Sequence, residues 1–264
     1  MHYSEHRPSP GFDPWVHSYW VPRGHSSTPE SVAADGRMEI ILHLAEPFEE
    51  LTADGWRRQP SQLVSGQITR PVTVRPTGEA LTVGARLKSW AGGAVLRDHA
   101  SHLTDRLVEL EAVKSKLARA LRPLLSLDSV TPPQLDSLFG SRLNDHDSVD
   151  PRICSAVTHT ERTGGRGAVD TLRQHTGIGN RQLERLFQQH VYVGPKLFAR
   201  MVRFRSVLKA TSGDSQPRWA DVAADCGYAD QAHLIRDFQQ FAGCTPGRLL
   251  QDAGSLALQI ASGG

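Results

Sequence analysis

Residues 227–246 read "GYADQAHLIRDFQQFAGCTP". Leu234, Phe238 and Phe241 recur at helical spacing and define an inward face. Gln231, His233, Arg236 and Gln240 crowd the remaining arc with long hydrogen-bonding side chains, and Asp230 stands where an N-cap belongs. A helix with so polar an outward surface has a face available for recognition.

A second copy lies upstream. "GIGNRQLERLFQQHVYVGP" (177–195) places Leu183, Phe187 and Pro195 51 residues before Leu234, Phe238 and Pro246. Each copy follows a short amphipathic segment, "AVDTLRQHTG" (168–177) or "WADVAADCG" (219–227), that a glycine closes. Short helix, glycine turn and longer helix make the helix-turn-helix pattern. Between the copies, "PKLFARMVRFRSVLKAT" (195–211) spaces Leu197, Met201, Phe204 and Leu208 as one continuous helix, about 24 Å long.

Two helix-turn-helix units joined by one helix resemble the DNA-binding domain of the AraC family of bacterial transcription regulators, and residues 227–246 are similar to that family's signature at almost every position. The resemblance implies that the second helix of each unit enters the major groove of duplex DNA. It implies base-reading roles for Arg181, Gln182, Glu184 and Arg185 in the first copy and for Ala232, His233 and Arg236 in the second, with Gln231 flanking. Arginine suits guanine O6 and N7, and glutamine suits adenine N6 and N7. Arg200, Arg203 and Arg205 on the connecting helix are phosphate contacts or solvated charge. Gly179 or Asn180 caps the first reading helix. Two positions depart from the family pattern: Arg173 stands where a small alanine is usual, and Tyr192 where a glycine ends the reading helix. The second copy keeps Ala223 and Gly243, so the departures predict a looser first unit.

Charge points the same way as the repeat. The whole chain carries +2, but residues 162–209 hold ten basic and two acidic side chains, against three and six in residues 210–264. A basic block of this kind suits a polyanion, whose condensed counterions are released on binding. The first copy holds the charge, and the second keeps the family pattern.

The first hundred residues have a different texture. "MEIILHL" (38–44), "QLVSG" (62–66), "PVTVRP" (71–76) and "ALTVGARLK" (80–88) are short apolar or alternating runs between Gly, Pro and Asp clusters, which predict a small antiparallel sheet or barrel. From about Leu103 the pattern turns helical. In "VKSKLARALRPLLSL", Val113, Leu117, Leu121, Leu124 and Leu125 share a side, with Pro123 interrupting the last turns. The expected organisation is α+β: a β-rich domain over 1–103, a helical connector over 104–160, a double helix-turn-helix domain over 161–253 and a tail over 254–264. "DPWVHSYWVP", "DGRMEIILHL", "GQITRPVTVRPTG" and "VGARLKSWAGGA" resemble, more weakly, a β-rich amino-terminal domain attached to some AraC-family members.

That domain is the candidate for an effector site or a contact between two chains. Trp15, Tyr19, Trp20, Trp56 and Trp90 either line a small-ligand pocket or pack as plain core. His17, His25, His43, His99 and His102 match no metal-site spacing, so neither metal nor cofactor is expected. Cys154, Cys226 and Cys244 are spread too widely for a C-x-x-C site and read as small buried apolar residues. No P-loop, G-x-S-x-G or Rossmann fingerprint favours the rival reading, an enzyme or ligand-binding β-domain with a vestigial helix-turn-helix. No cysteine precedes Cys154, which removes the cysteine-zinc domain that some DNA-repair alkyltransferases fuse to such a unit. The partners expected are double-stranded DNA first, then a small-molecule effector, RNA polymerase and a second copy of the chain. No apolar run suits a membrane and no signal peptide opens the chain, which makes a cytoplasmic location the expectation.

Overall fold

The computed structural model describes residues 1–10, 15–96, 102–140, 149–167, 169–212 and 216–251. The expected tail, His99 and the first residue of the 168–177 segment lie outside them.

Among the described residues, ten strands build two antiparallel sheets. They are β1 (His2–His6), β2 (Val16–His25), β3 (Glu30–Val32), β4 (Glu39–His43), β5 (Glu49–Thr52), β6 (Gly55–Arg58), β7 (Gln62–Ser65), β8 (Val72–Arg75), β9 (Glu79–Leu87) and β10 (Leu107–Glu109). One sheet runs β1-β2-β9-β4-β7-β10 and the other β3-β8-β5-β6. The runs foreseen at 38–44, 62–66, 71–76 and 80–88 are β4, β7, β8 and β9. The larger sheet is covered on both faces, which explains why "EIILH" in β4 is buried at every position rather than at alternate ones. Ile40 and Leu42 join Val64, Val83 and Ala85 in one apolar cluster. Glu39, Ile41 and His43 face the smaller sheet across a cavity, as the two-residue period of a strand requires. Gly84 in β9 makes room for Trp20 on the neighbouring strand. A Cβ there would overlap the indole, so no other residue fits.

The stretch expected as a helical connector divides between two cores. After α1 (Gly92–Leu96), α2 (Leu110–Leu121) lays Leu110, Leu117 and Leu121 on the β-domain, and Pro123 turns the chain into a 3₁₀ turn at Arg122–Ser126. The short α3 (Pro132–Leu135) and the π turn that follows add Leu135 and Phe139 to that core. By contrast α4 (Pro151–Arg162) packs Ile153, Ala156 and Val157 against the carboxy-terminal helices. The physical reason is placement of apolar side chains: each helix goes where its own stripe is covered.

The carboxy-terminal part is all helical: α5 (Val169–Thr176), α6 (Asn180–His190), α7 (Pro195–Ala210), α8 (Trp219–Asp225), α9 (Gln231–Ala242) and α10 (Pro246–Gln251). Its core is aromatic, with Phe204 set 4.8 Å from Phe238 and 5.7 Å from Phe241, and Phe187 5.8 Å from Phe198. Helix α7 buries Phe198, Val202 and Val207 as well as the expected Met201, Phe204 and Leu208, while Leu197 is half-buried. A helix with a helix-turn-helix packed on either flank needs apolar residues around most of its circumference.

Candidate nucleic-acid interface

Helices α6 and α9 are the second helices of the two units. In α6, Leu183, Leu186 and Phe187 point inward, and Arg181, Glu184 and Arg185 are exposed. Gln182 is half-buried against Arg152 at the start of α4, whose guanidinium donates to its carbonyl oxygen at 2.9 Å in the amide orientation that satisfies both groups. Glu184 reaches toward the first turn of α7: a Cβ on Gly194 would lie 3.0 Å from its carboxylate. A negative side chain there complements the positive helix end. Arg181 and Arg185 are therefore the long cationic side chains of α6 that project outward.

In α9, Leu234, Asp237, Phe238 and Phe241 are buried, and Gln231, Ala232 and Arg236 are exposed. Asp230 caps the helix, its Oδ1 accepting the N–H of His233 at 2.6 Å. Gly179 occupies the same place before α6 and offers no side-chain acceptor. The His233 ring stands edge-on to Tyr228 at 5.1 Å, so it is half-buried. Gln188, Gln189 and Gln239 are also exposed on the reading helices, one turn beyond the positions taken from the resemblance. The repeated Phe-Gln-Gln was the signal that could have picked them out.

The connecting-helix arginines have internal partners. Arg200 donates to Asp237 Oδ1 at 3.0 and 2.6 Å and to Gln240 Oε1 at 2.6 Å, tying α7 to α9. Asp237 is fully buried, and in the matched position of the first unit stands Leu186. Arg203 donates to the Gly165 carbonyl at 2.8 Å and lies over the Tyr228 ring. Arg205 donates to Glu161 Oε1 at 3.2 Å. Burial alone would raise the Glu161 carboxyl, but Arg205 and Arg37 outweigh it and hold it below its ordinary range. All three guanidinium groups thus brace the fold.

The two departures from the family pattern have structural answers. Arg173 is exposed while its neighbour Leu172 is buried, so the bulky residue turns to solvent. Tyr192 adopts a left-handed backbone, φ 65°, close to the 74° of Gly243 at the end of α9. Its ring packs into the apolar cluster of the β-domain. The end of the first unit's second helix is thus in contact with the β-domain.

Of the five aromatic residues proposed for a pocket, Trp20 lines the cavity between the sheets, with Val32, Ile41, Phe48 and Val74. Tyr19 is fully buried in the core beside Phe139, Trp56 lies under the Arg75 guanidinium, and Trp15 and Trp90 pack edge to face at 5.7 Å. Those four do not line it. The polar groups that do, Glu39 and His43, were missed as pocket residues because a sequence does not show which face of a buried strand meets a void. Glu39 Oε1 accepts from Trp20 Nε1 at 2.9 Å and from Arg86 Nε at 3.0 Å. His43 bonds Thr82 and Gln59 at 2.9 Å each, and burial pushes it down to about 4, which keeps it neutral. The cavity measures about 60 Å³.

Two helices with exposed polar faces, each the second of its unit, on a shared connecting helix define a double helix-turn-helix fold. Residues 172–252 match the family described as a helix-turn-helix domain, and residues 4–109 match a domain of unknown function, DUF6597. A helix-turn-helix domain thus follows the amino-terminal domain along the chain. The HTH-type transcriptional regulator GbdR of Pseudomonas aeruginosa is 31% identical over 81 residues, 30% of this chain and 21% of the relative. The chain thus spans about a fifth of the length of the curated relatives it matches. Among solved structures, ToxT from Vibrio cholerae superposes with a TM-score of 0.51 at 8% identity, covering 95% of this chain and 98% of ToxT. ToxT bound to (E)-4-(8-methylnaphthalen-1-yl)but-3-enoic acid gives 0.50 at 9% identity, covering 95% and 99%. At such identities the likeness is one of fold. No helix among the described residues is long and apolar enough to cross a membrane.

Proposed function

We propose that this chain is a transcription regulator that binds duplex DNA by inserting α6 and α9 into successive major-groove segments. One observation carries the reading: two helices, each exposed along a polar face, pack on a single shared 16-residue helix. Arg181, Arg185, Gln231 and Arg236 are the base-reading side chains this geometry favours, with His233 limited by its packing on Tyr228. Arg200, Arg203 and Arg205 hold the units together, and exposed Lys196 at the start of α7 is better placed than they are to meet phosphate.

The β-domain is the input in this reading. Its cavity of about 60 Å³ is far below the roughly 300 Å³ of a typical ligand pocket, so an effector enters only if the sheets part. A mainly apolar molecule suits the walls, and the acid bound by ToxT supports that class by analogy of fold. A second copy of the chain and RNA polymerase complete the expected partners of a bound regulator.

The test is selection of duplexes from a random pool by the full chain, followed by titration of the winner against salt. Binding should fall log-linearly with salt, by about 0.9 log units per decade for each phosphate neutralised. A chain that retains no duplex, or that binds independently of salt, would refute the proposal.

A further inference from the structure

Residues 33–39, "AADGRME", form the short segment between β3 and β4 together with the first residue of β4. Neighbouring residues within it belong to different parts of the molecule. Ala33 and Ala34 are buried in the core of the DNA-binding helices. The Ala34 N–H donates to the Phe241 carbonyl at 2.8 Å. Phe241 lies in the last turn of α9, where carbonyls have no donor within their own helix, so the β-domain completes the end of the second reading helix. Gly36, at φ 80°, lies against the connecting helix: a Cβ there would sit 3.6 Å from Met201 Cβ and from the Phe198 ring. Arg37 is buried and faces Glu161 at 3.9 Å, beyond hydrogen-bond distance. Glu161 itself accepts from Ser89 at 2.9 Å and from Arg205 of α7.

The other residues point back into the β-domain. Asp35 accepts the Arg37 N–H through Oδ1 at 3.0 Å and sets Oδ2 3.5 Å from Arg86 Nε, the same nitrogen that bonds Glu39. Met38 packs in the β-domain core beside Gly92, where a Cβ would strike Met38 Sδ and come within 3.0 Å of the Tyr192 ring. Tyr192 ends the first reading helix. The next residue, Gly93, allows backbone contact with α6: a Cβ there would collide with the Gln189 carbonyl oxygen. Glu39 lines the cavity.

We propose that residues 33–39 are the positioning element of this regulator, setting α6 and α9 relative to each other and linking that setting to the β-domain cavity. The proposal rests on the DNA-reading function above. Its physics is the inextensibility of a short segment pinned by both domains, in which consecutive Cα atoms stay 3.8 Å apart. A shift of Glu39 at the cavity wall is carried through Met38, Arg37 and Gly36 to the connecting helix, and through Ala34 to the end of α9. Helices behave as rods, so moving an anchored end changes how the other end meets the groove. Two linked modules gain over one only while their geometry allows both to engage. The observable set by this segment is therefore the advantage of a two-segment duplex over a one-segment duplex.

The experiment uses the full chain and the selected duplex, intact or with one segment scrambled. Arg37→Met and Gly36→Val are expected to cut the two-segment advantage about tenfold, with one-segment affinity as in the wild type and Arg37→Lys restoring part of the loss. An unchanged ratio would overturn the proposal, and so would equal losses on both duplexes, because a merely structural role weakens both alike. Hydrogen exchange on the wild type needs no variant: duplex binding is expected to alter amides 34–39 while sparing the β5–β6 hairpin. No change at 34–39 would overturn the positioning role. Failure of the wild type to retain any duplex would instead bring down the DNA-binding reading beneath it.

Discussion

The first reading helix ends on Tyr192 and the second on Gly243, both with left-handed backbones. Glycine takes that conformation freely, whereas an L-residue with a side chain does so at a cost of about 1–2 kcal/mol. The first unit offsets the cost by burying the tyrosine ring in the β-domain, against a backbone contact that Gly92 and Gly93 leave open. The second unit is held more by its own residues. Asp230 caps α9, and Asp237 anchors it to Arg200 of the connecting helix. At the matched positions the first unit has Gly179 and Leu186, with no side-chain cap and no ion pair. One pattern, repeated 51 residues apart, thus ends on a tyrosine ring buried in the β-domain in one copy, and in the other adds a side-chain cap and a buried ion pair to its single β-domain hydrogen bond. The lesson is that a repeat keeps what its own core needs and varies where each copy meets a different neighbour.

The comparison breaks most visibly on the DNA. If both units read, successive major-groove faces lie about 34 Å apart. Five extra base pairs between the two segments should then lower affinity on the order of a hundredfold, because half a turn carries one segment to the far side. A harmless insertion, measured by titration of the two duplexes, would leave one unit as sole reader.

Protein stability sharpens it next. Asp237→Ala should destabilise the chain by about 2–3 kcal/mol, below the range for a fully buried pair because Arg200 is 29% exposed. Asp237→Leu with Arg200→Met copies the first unit's apolar solution and should recover most of that loss in denaturant titration.

Base reading gives a matched pair of tests, since Arg185 and Arg236 occupy the same place in the two copies. Each change to Ala should lower affinity by roughly 1–3 kcal/mol and relax preference at one base pair in a binding survey of point-mutated duplexes. Uniform loss over all sequences would assign the side chain to phosphate. The smallest expected effect is at the caps. Asp230→Ala should cost about 1 kcal/mol, and Gly179→Asp should gain a few tenths, both read from thermal melting.

The legibility of this fold varied with the range of the interactions involved. Heptad-like spacing, the glycine turns and the Asp230 cap are local features, so the helices of both units and the strands β4, β7, β8 and β9 are visible in the residue pattern alone. The edge strands β1, β3, β6 and β10, and β5 between β8 and β6, are not, because their residues are mostly half-exposed and alternate weakly. Of the candidate site, the sequence pattern indicated which positions face outward on the helices and not which side chains are taken up by internal partners. Arg181, Arg185 and Arg236 are exposed, whereas Arg200, Arg203 and Arg205 are taken up by Asp237, Gly165 and Glu161. Those partners lie 37 or more residues away in the chain, which no periodicity reveals.

The sequence by itself determined that this chain carries two copies of a helix-turn-helix with outward polar faces behind a β-rich domain, because spacing along a helix or strand decides which side chains face inward. Only the tertiary structure decided that the stretch 104–160 splits between two cores, that Tyr192 anchors the first unit, and that the connecting arginines brace the fold. Each of those depends on which distant surface supplies an apolar cover or an opposite charge, and that is settled only when the two domains pack.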